Sequence, residues 1–330
     1  MKFVAKFSII LGVIFLISGI LATGLFFASF DWNNLEGSIY FTYLNQQKNY
    51  SVQEIEEVNL NFVSEEIVVE KISGEEFVFN LQGYYPKNRD GEYPELQIEK
   101  TGKNLNVHVE FLQKRYLFGI GSRKSSLHVG IPEKYFGNFK IDVSSGEIFV
   151  NNFAFKNFES DSTSGEIELR NLKVSGNCII ETSSGNININ NLSCENLNEK
   201  SVSGEIISEN LEVEGRSYFQ TSSGDIDTKK LQTDYGEFKS VSGEITLIDS
   251  GEINFIKTSS GDISISGLNA KNNLDIESVS GDVDIGLIEG SSVDLKYKSV
   301  SGNLKNDFGN VYDGDYEIYI KTSSGDLRIY

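Results

Sequence analysis

The chain has 330 residues, with 48 acidic against 29 basic side chains and a net charge of −19, 31 glycines, three prolines, two cysteines and two histidines. A body this acidic excludes nucleic acid as a partner, because phosphate recognition needs basic surface. Two cysteines exclude a disulfide-stapled scaffold, and the scarcity of proline excludes a proline-rich wall-spanning linker.

Residues 1–6 carry Lys2 and Lys6, and Phe7 to Phe30 contains no charged residue. Twenty-four helical residues span about 36 Å, enough for a hydrocarbon core of roughly 30 Å. The pattern predicts a transmembrane anchor over 7–30. The rival, a cleaved signal peptide, asks for a shorter apolar run and a small-residue cleavage site. Lysines before the segment, with Asp31 and Glu36 after it, place residues 1–6 in the cytoplasm and the rest of the chain outside a single-pass membrane protein. The chain ends at Tyr330 without a sorting motif, so anchoring is expected to rest on this helix alone.

Residues 31–54 lack a clear period and read as a stalk. From Ile55, β-branched and alternating runs separated by turn residues predict strands, and 55–140 reads as an irregular β cap closing the N-terminal end of a repeat region at 141–330. Within the cap, Ser64-Glu65-Glu66-Ile67 and Ser73-Gly74-Glu75 look like decayed forms of the corner that recurs in the repeats.

From 141 to 330, Ser-Gly followed by an acidic or amide residue and then an aliphatic one recurs ten times, at Gly146, Gly165, Gly185, Gly204, Gly224, Gly243, Gly261, Gly281, Gly302 and Gly325. The interval is 18 to 23 residues, and repeats this short must stack to bury a core. Two residues after the glycine stands a column of Ile, Val or Leu, and two further on the side is again mostly apolar, interrupted by Ser208, Thr228 and Asn306. A second apolar column lies five residues before the glycine (Ile141, Ile180, Phe219, Phe238, Ile256, Ile276, Tyr297, Ile320), and Phe153, Leu172, Leu192, Leu211, Leu231 and Leu268 follow seven residues after it. Period-two alternation on both sides of a corner predicts an all-β, single-stack β-solenoid of about 20 residues per rung, behind the one N-terminal helix. Neighbouring rungs at about 4.8 Å would make a rod of roughly 45–50 Å. The glycine is expected where the backbone is left-handed or crowded, and the serine before it as a structural hydroxyl, since ten equivalent serines cannot all be nucleophiles.

The position after the glycine collects eight carboxylates among ten residues. It reads as a solvated acidic edge; the competing reading is a cation surface at Glu205, Asp225, Glu244, Asp262 and Asp282, with calcium as the ion that hard oxygens favour. No cofactor is otherwise implied. Lys114, Arg115, Arg123 and Lys124 bracket Leu117 and Phe118, a basic hairpin with an apolar tip. It packs on the cap or, alternatively, contacts lipid, an anionic wall polymer or a partner protein. His108 and His128 fall on the polar faces of their strands, without a second ligand at metal spacing, and no triad or phosphate loop is complete. Cys178 and Cys194 read as core or loop fillers, although an extracytoplasmic location permits a disulfide.

The alternating Thr-Ser-Ser-Gly-Asp-Ile and Ser-Val-Ser-Gly-Glu-Ile phrases (Thr221 to Ile226, Ser240 to Ile245, Thr258 to Ile263, Ser278 to Val283), preceded by Leu127 to Pro132, resemble the bacterial DUF4097 family of adhesin-like proteins with β-strand repeats, over about residues 55–330. The layout is also similar to the accessory protein of the Lia cell-envelope-stress operon. The resemblance implies a β-repeat architecture and brings no catalytic residues. The chain therefore reads as a membrane-anchored, extracytoplasmic, non-enzymatic adhesion or binding scaffold, with a sensory accessory of an envelope-stress response as the alternative. Its envelope polymer or protein partner is left open by the sequence.

Overall fold

The computed structural model describes residues 40–87, 93–110 and 123–330. The expected anchor at 7–30 lies outside them; among the described residues no helix is long and apolar enough to cross a membrane. Almost all belong to one compact unit, Thr42–Pro86 with Tyr93–Tyr330. That unit is all-β, built on two sheets of 14 and 13 strands.

Each rung contributes one strand to each sheet, and rungs pair in parallel register with their neighbours. In the sheet following the corners, Ile206, Ile226, Ile245, Ile263 and Val283 are successive partners. In the sheet preceding them the partners are Phe219, Phe238, Ile256 and Ile276. All are buried, because alternation turns every second side chain inward. Each such side chain contributes about 1.5–3 kcal/mol of burial. Phe219 and Phe238 stack at 4.6 Å between ring centres. The leucine column after the corner is buried as well, and its members pair in register within the same sheet just past the bend.

The corner glycines are required by crowding. A Cβ on Gly165, Gly185, Gly204, Gly224, Gly243 or Gly261 would lie 1.8–2.0 Å from the carbonyl oxygen of the preceding corner glycine. Left-handed backbone is not the reason: of the ten, only Gly325 has a positive φ, at 142°. The hydroxyl that bonds into most corners lies three residues before the glycine. Ser162, Ser201 and Ser240 accept its N–H at 2.8 Å, and Thr221 and Thr258 at 3.0 Å. The serine directly before the glycine is exposed, and in Ser145 and Ser280 its hydroxyl donates to a neighbouring rung's carbonyl.

The left-handed residues make a bend within or at the end of the first-sheet strand, six positions after the glycine: Asn152, Asn171, Asn191, Asn210, Lys230 and Asp249, with φ between 50° and 61°, then Gly267 at 71°. Asparagine tolerates this region because its short amide bonds locally. The amide of Asn191 donates to Asn171 at 2.9 Å, and that of Asn171 to Asn152 at 3.0 Å.

Stacking departs from chain order at both ends. Strand Tyr316–Ser324 lies between Leu274–Glu277 and Val293–Ser301, and Leu327–Ile329 lies between Val283–Leu287 and Leu304–Asn306. The Gly325 rung is thus inserted between the Gly281 and Gly302 rungs. The ladder confirms the order: Val283 N–H donates to Asp326 and Leu327 N–H to Asn303. At the other end, Glu57–Phe62 and Glu66–Ile72 form a rung flanked by Asn104–Glu110 with Arg123–Pro132 on one side and by Asn138–Val143 with Ile148–Phe155 on the other.

The first rungs are more regular than a cap of irregular strands. Glu65 holds the corner position of its rung, its carbonyl oxygen 1.8 Å from where a Cβ on Gly146 would stand, so Ser64-Glu65-Glu66-Ile67 is a corner. Ser73-Gly74-Glu75 is instead the turn between Glu66–Ile72 and Glu76–Lys87. Antiparallel pairing appears only beyond these rungs among the described residues, where Glu76–Lys87 and Glu95–Thr101 fold back on their neighbours. The segment read as a stalk holds strand Tyr40–Ser51, at the edge of the first sheet.

Candidate functional site

The outward columns carry whatever the stack presents to a partner. In the acidic file, Asp225 Oδ1 accepts the backbone N–H of Glu244 at 2.8 Å, Asp262 Oδ1 that of Asp282 at 2.8 Å, and Asp282 Oδ1 that of Asp326 at 2.7 Å. Asn186 does the same for Glu205 at 3.0 Å. A short carboxylate or amide here therefore ties its rung to the next, a role that neither the solvated-edge nor the cation reading includes. Glu244 bonds the Thr246 hydroxyl at 3.3 Å. Glu205 is held above its usual carboxyl range, first by burial and then by Asp227 and Asp225. Among the described residues no three of His, Cys, Asp and Glu group as a metal site.

Of the basic hairpin, Lys114, Arg115, Leu117 and Phe118 lie outside the described residues; Arg123 begins a strand and Lys124 is exposed. His108 is half-buried and His128 exposed, both on outward positions of their strands.

The interior contains a polar group that sequence reasoning passed over. In the column five residues before the corners, Glu199 stands between Ile180 and Phe219 and is fully buried. Ser208 Oγ donates to its Oε2 at 2.8 Å, and its Oε1 has no hydrogen-bond partner. Burial pushes its carboxyl up to about 8, against the lowering effect of Ser208. Ser160, in the same column, and Thr228, across from it in the other sheet, also hold unpartnered hydroxyls. The signal was present, since positions 160 and 199 are gaps in an otherwise apolar column. Cys178 and Cys194 are free and buried. Burial pushes the Cys194 thiol up to about 12, followed by the effects of Glu199 and Glu214, and raises that of Cys178 well above its ordinary value.

Two grooves run along the bends. One of about 730 Å³ is lined among others by Glu212, Asp234, Asp249 and Lys271, and one of about 360 Å³ by Asn171, Asn191, Asn210 and Lys230. In the second, the amides of Asn171 and Asn191 are already spent on the asparagine ladder.

The sheet preceding the corners has a different outer face. One outward column runs Asn198, Tyr218, Glu237, Phe255, Asp275, Tyr319 and Lys296 through successive rungs. Beside it run Lys200, Gln220, Lys239, Lys257, Glu277, Lys321 and Lys298. Lys239 Nζ lies 5.5 Å from the Tyr218 ring centre and 5.4 Å from that of Phe255, and Lys298 Nζ 5.3 Å from that of Tyr319. These cation–π contacts hold the rings in place on the sheet.

A family model described as Toastrack DUF4097 matches residues 55–254 and 174–330. No curated protein matches the chain. Among solved structures it is similar to a candidate adhesin from Bacteroides fragilis, at 14% identity and TM-score 0.37, covering 87% of this chain and 97% of that one. It is also similar to a candidate adhesin from Parabacteroides distasonis, at 14% identity and TM-score 0.33, covering 89% and 98%. A candidate cell adhesion protein from Clostridium sporogenes aligns at 11% identity and TM-score 0.25, covering 87% and 99%.

Proposed function

We propose, from the premise that this chain belongs to the Toastrack DUF4097 family, that it is a non-enzymatic binding scaffold held at the outer face of a cell membrane by residues 7–30. The observation that carries the reading is repetition in register: each outward column offers equivalent positions on successive rungs, a ladder suited to a long partner. A catalyst needs one set of unlike groups converging on a reacting atom. The anchor rests on the uncharged run of 24 residues behind Lys2 and Lys6.

The test is capture by the tagged full-length protein from cell-wall fractions and from membrane extracts, together with carbonate washing of membranes. Retention on washed membranes and enrichment of a wall polymer are expected. Recovery of a single membrane protein with no wall material would favour a sensory accessory of an envelope-stress response, and release of a shortened chain into the medium would remove the anchor.

A further inference from the structure

We infer that the outer face of the sheet preceding the corners is a binding platform for an extended β-1,4-linked glycan, with Tyr218, Phe255 and Tyr319 as stacking rings. This rests on the binding-scaffold reading and names its surface and partner class.

The first support is spacing. Tyr218, Phe255 and Tyr319 occupy one outward column at every second rung, separated by Glu237 and Asp275. Rungs about 4.8 Å apart place the rings about 9.5 Å from one another. Successive sugars in a β-1,4-linked chain are flipped, so the chain presents the same ring face once per disaccharide, a length close to two rungs. An extended peptide repeats its faces every two residues, about 6.8 Å, and falls out of step with this column. The period depends on the inserted rung: in chain order Lys296 would follow Asp275, and only the placement of Tyr316–Ser324 beside Leu274–Glu277 puts the third ring in line.

The second support is unspent hydrogen-bonding capacity beside the rings. Asp275 Oδ1, between Phe255 and Tyr319, and Asn198 Oδ1, next to Tyr218, are acceptors without a partner. Both oxygens are covered in the free protein, and an unmade bond at a covered acceptor is costly, so a hydroxyl that reaches either is favoured. Charge gives a third. The two columns hold six lysines (200, 239, 257, 296, 298 and 321) against three carboxylates (Glu237, Asp275 and Glu277), while residues 141–330 as a whole carry −17. This face escapes the repulsion of the acidic file; Lys200, Lys239, Lys257 and Lys296 are held in ion pairs with carboxylates, and Lys298 and Lys321 add ammonium donors for ring and hydroxyl oxygens. Half-buried aromatic rings among a few polar groups are the usual make-up of a ligand surface.

The experiment measures binding of fluorescently labelled chitohexaose and cellohexaose to the purified full chain by anisotropy, with α-1,4-linked maltohexaose and a proline-rich peptide as controls. Saturable binding of a β-1,4-linked hexamer is expected. The triple variant Tyr218→Ala, Phe255→Ala, Tyr319→Ala should weaken it about tenfold or more, and Tyr218→Phe with Tyr319→Phe should leave it within about threefold. The exchange Phe255→Asp with Asp275→Phe keeps the composition and breaks the two-rung spacing; loss of binding with an unchanged melting curve is expected. Binding that survives the exchange, equal binding of maltohexaose, or preference for the peptide would each overturn the proposal. If the triple variant captures wall material as well as the parent does, the scaffold reading stands and this face is not its binding surface.

Discussion

The glycine corner and the asparagine bend of each rung both redirect the chain, the first between the two sheets and the second within a strand of the first sheet, under different constraints. At the corner the constraint comes from outside the residue: the preceding rung's carbonyl occupies the space a Cβ would need. At the bend it lies within the residue, whose φ is positive while its side chain points to solvent or along the amide ladder. The first tolerates one residue type at almost every rung, whereas the second accepts Asn, Lys, Asp and Gly. A repeat is strict where rungs touch through backbone and lax where they touch through side chains.

Breaking the comparison at its strict side should have the largest effect. Gly224→Ala puts a Cβ 2.0 Å from the Gly204 carbonyl oxygen, which the ladder holds in place. The rungs must part, with an expected loss of about 3 kcal/mol or more. A melting temperature equal to the parent's would show that the corner yields and that crowding is not its rule.

Between the two turns, Glu199 sharpens the comparison by testing the interior they enclose. Its carboxyl titrates near 8 when folded and at its ordinary value of 4.5 when exposed. The folded state therefore keeps a proton that the unfolded chain releases between those values, and its stability falls as pH rises from about 4.5 through 8. Glu199→Gln should remove that dependence, so the variant gains on the parent by roughly 3–5 kcal/mol at pH 9 relative to pH 4.5. Parallel stability–pH curves for the two proteins would place the carboxylate in water.

At the lax side, Asn191→Ala should cost about 1–2 kcal/mol for an L-residue without a local bond at φ 61°, and Asn191→Gly less than half of that. Equal losses for the two would mean that the amide ladder, not φ, selects the residue. The smallest effect belongs to the acidic file. Asp225→Ala removes the bond to the Glu244 N–H and should cost about 1 kcal/mol or less, with Asp225→Asn near neutral. Calcium should raise the melting temperature no more than sodium at matched ionic strength, and a calcium-specific rise would restore the cation reading.

The stack, its two inward columns and the leucine column were legible from period and register, because burial alternates along a strand whatever its neighbours are. The bend with positive φ was harder to see, although Asn152, Asn171, Asn191 and Asn210 stand at one repeat position, because glycine, the usual marker of that region, sits at the other turn. The inserted rung was hidden too, yet it leaves a trace. Ser-Val-Ser-Gly and Thr-Ser-Ser-Gly alternate from Ser201 to Gly281, then Ser299 to Gly302 repeats the valine form. Placing Thr322 to Gly325 between them restores the alternation. The aromatic column was invisible for the same reason, since its third ring falls into line only after that rearrangement.

The late insertion bears on how the chain is made. A stack in strict sequence could add each rung as it left the ribosome, completing the structure from one end. Here the Gly302 rung emerges before the rung that must separate it from Gly281, so its lasting neighbour does not yet exist. Synthesis has to reach residue 330 before either of the last two rungs can settle, which couples closure of this end of the molecule to delivery of that segment. Until then the Gly281 edge stays open to foreign strands, an interval in which a chaperone would have its greatest use.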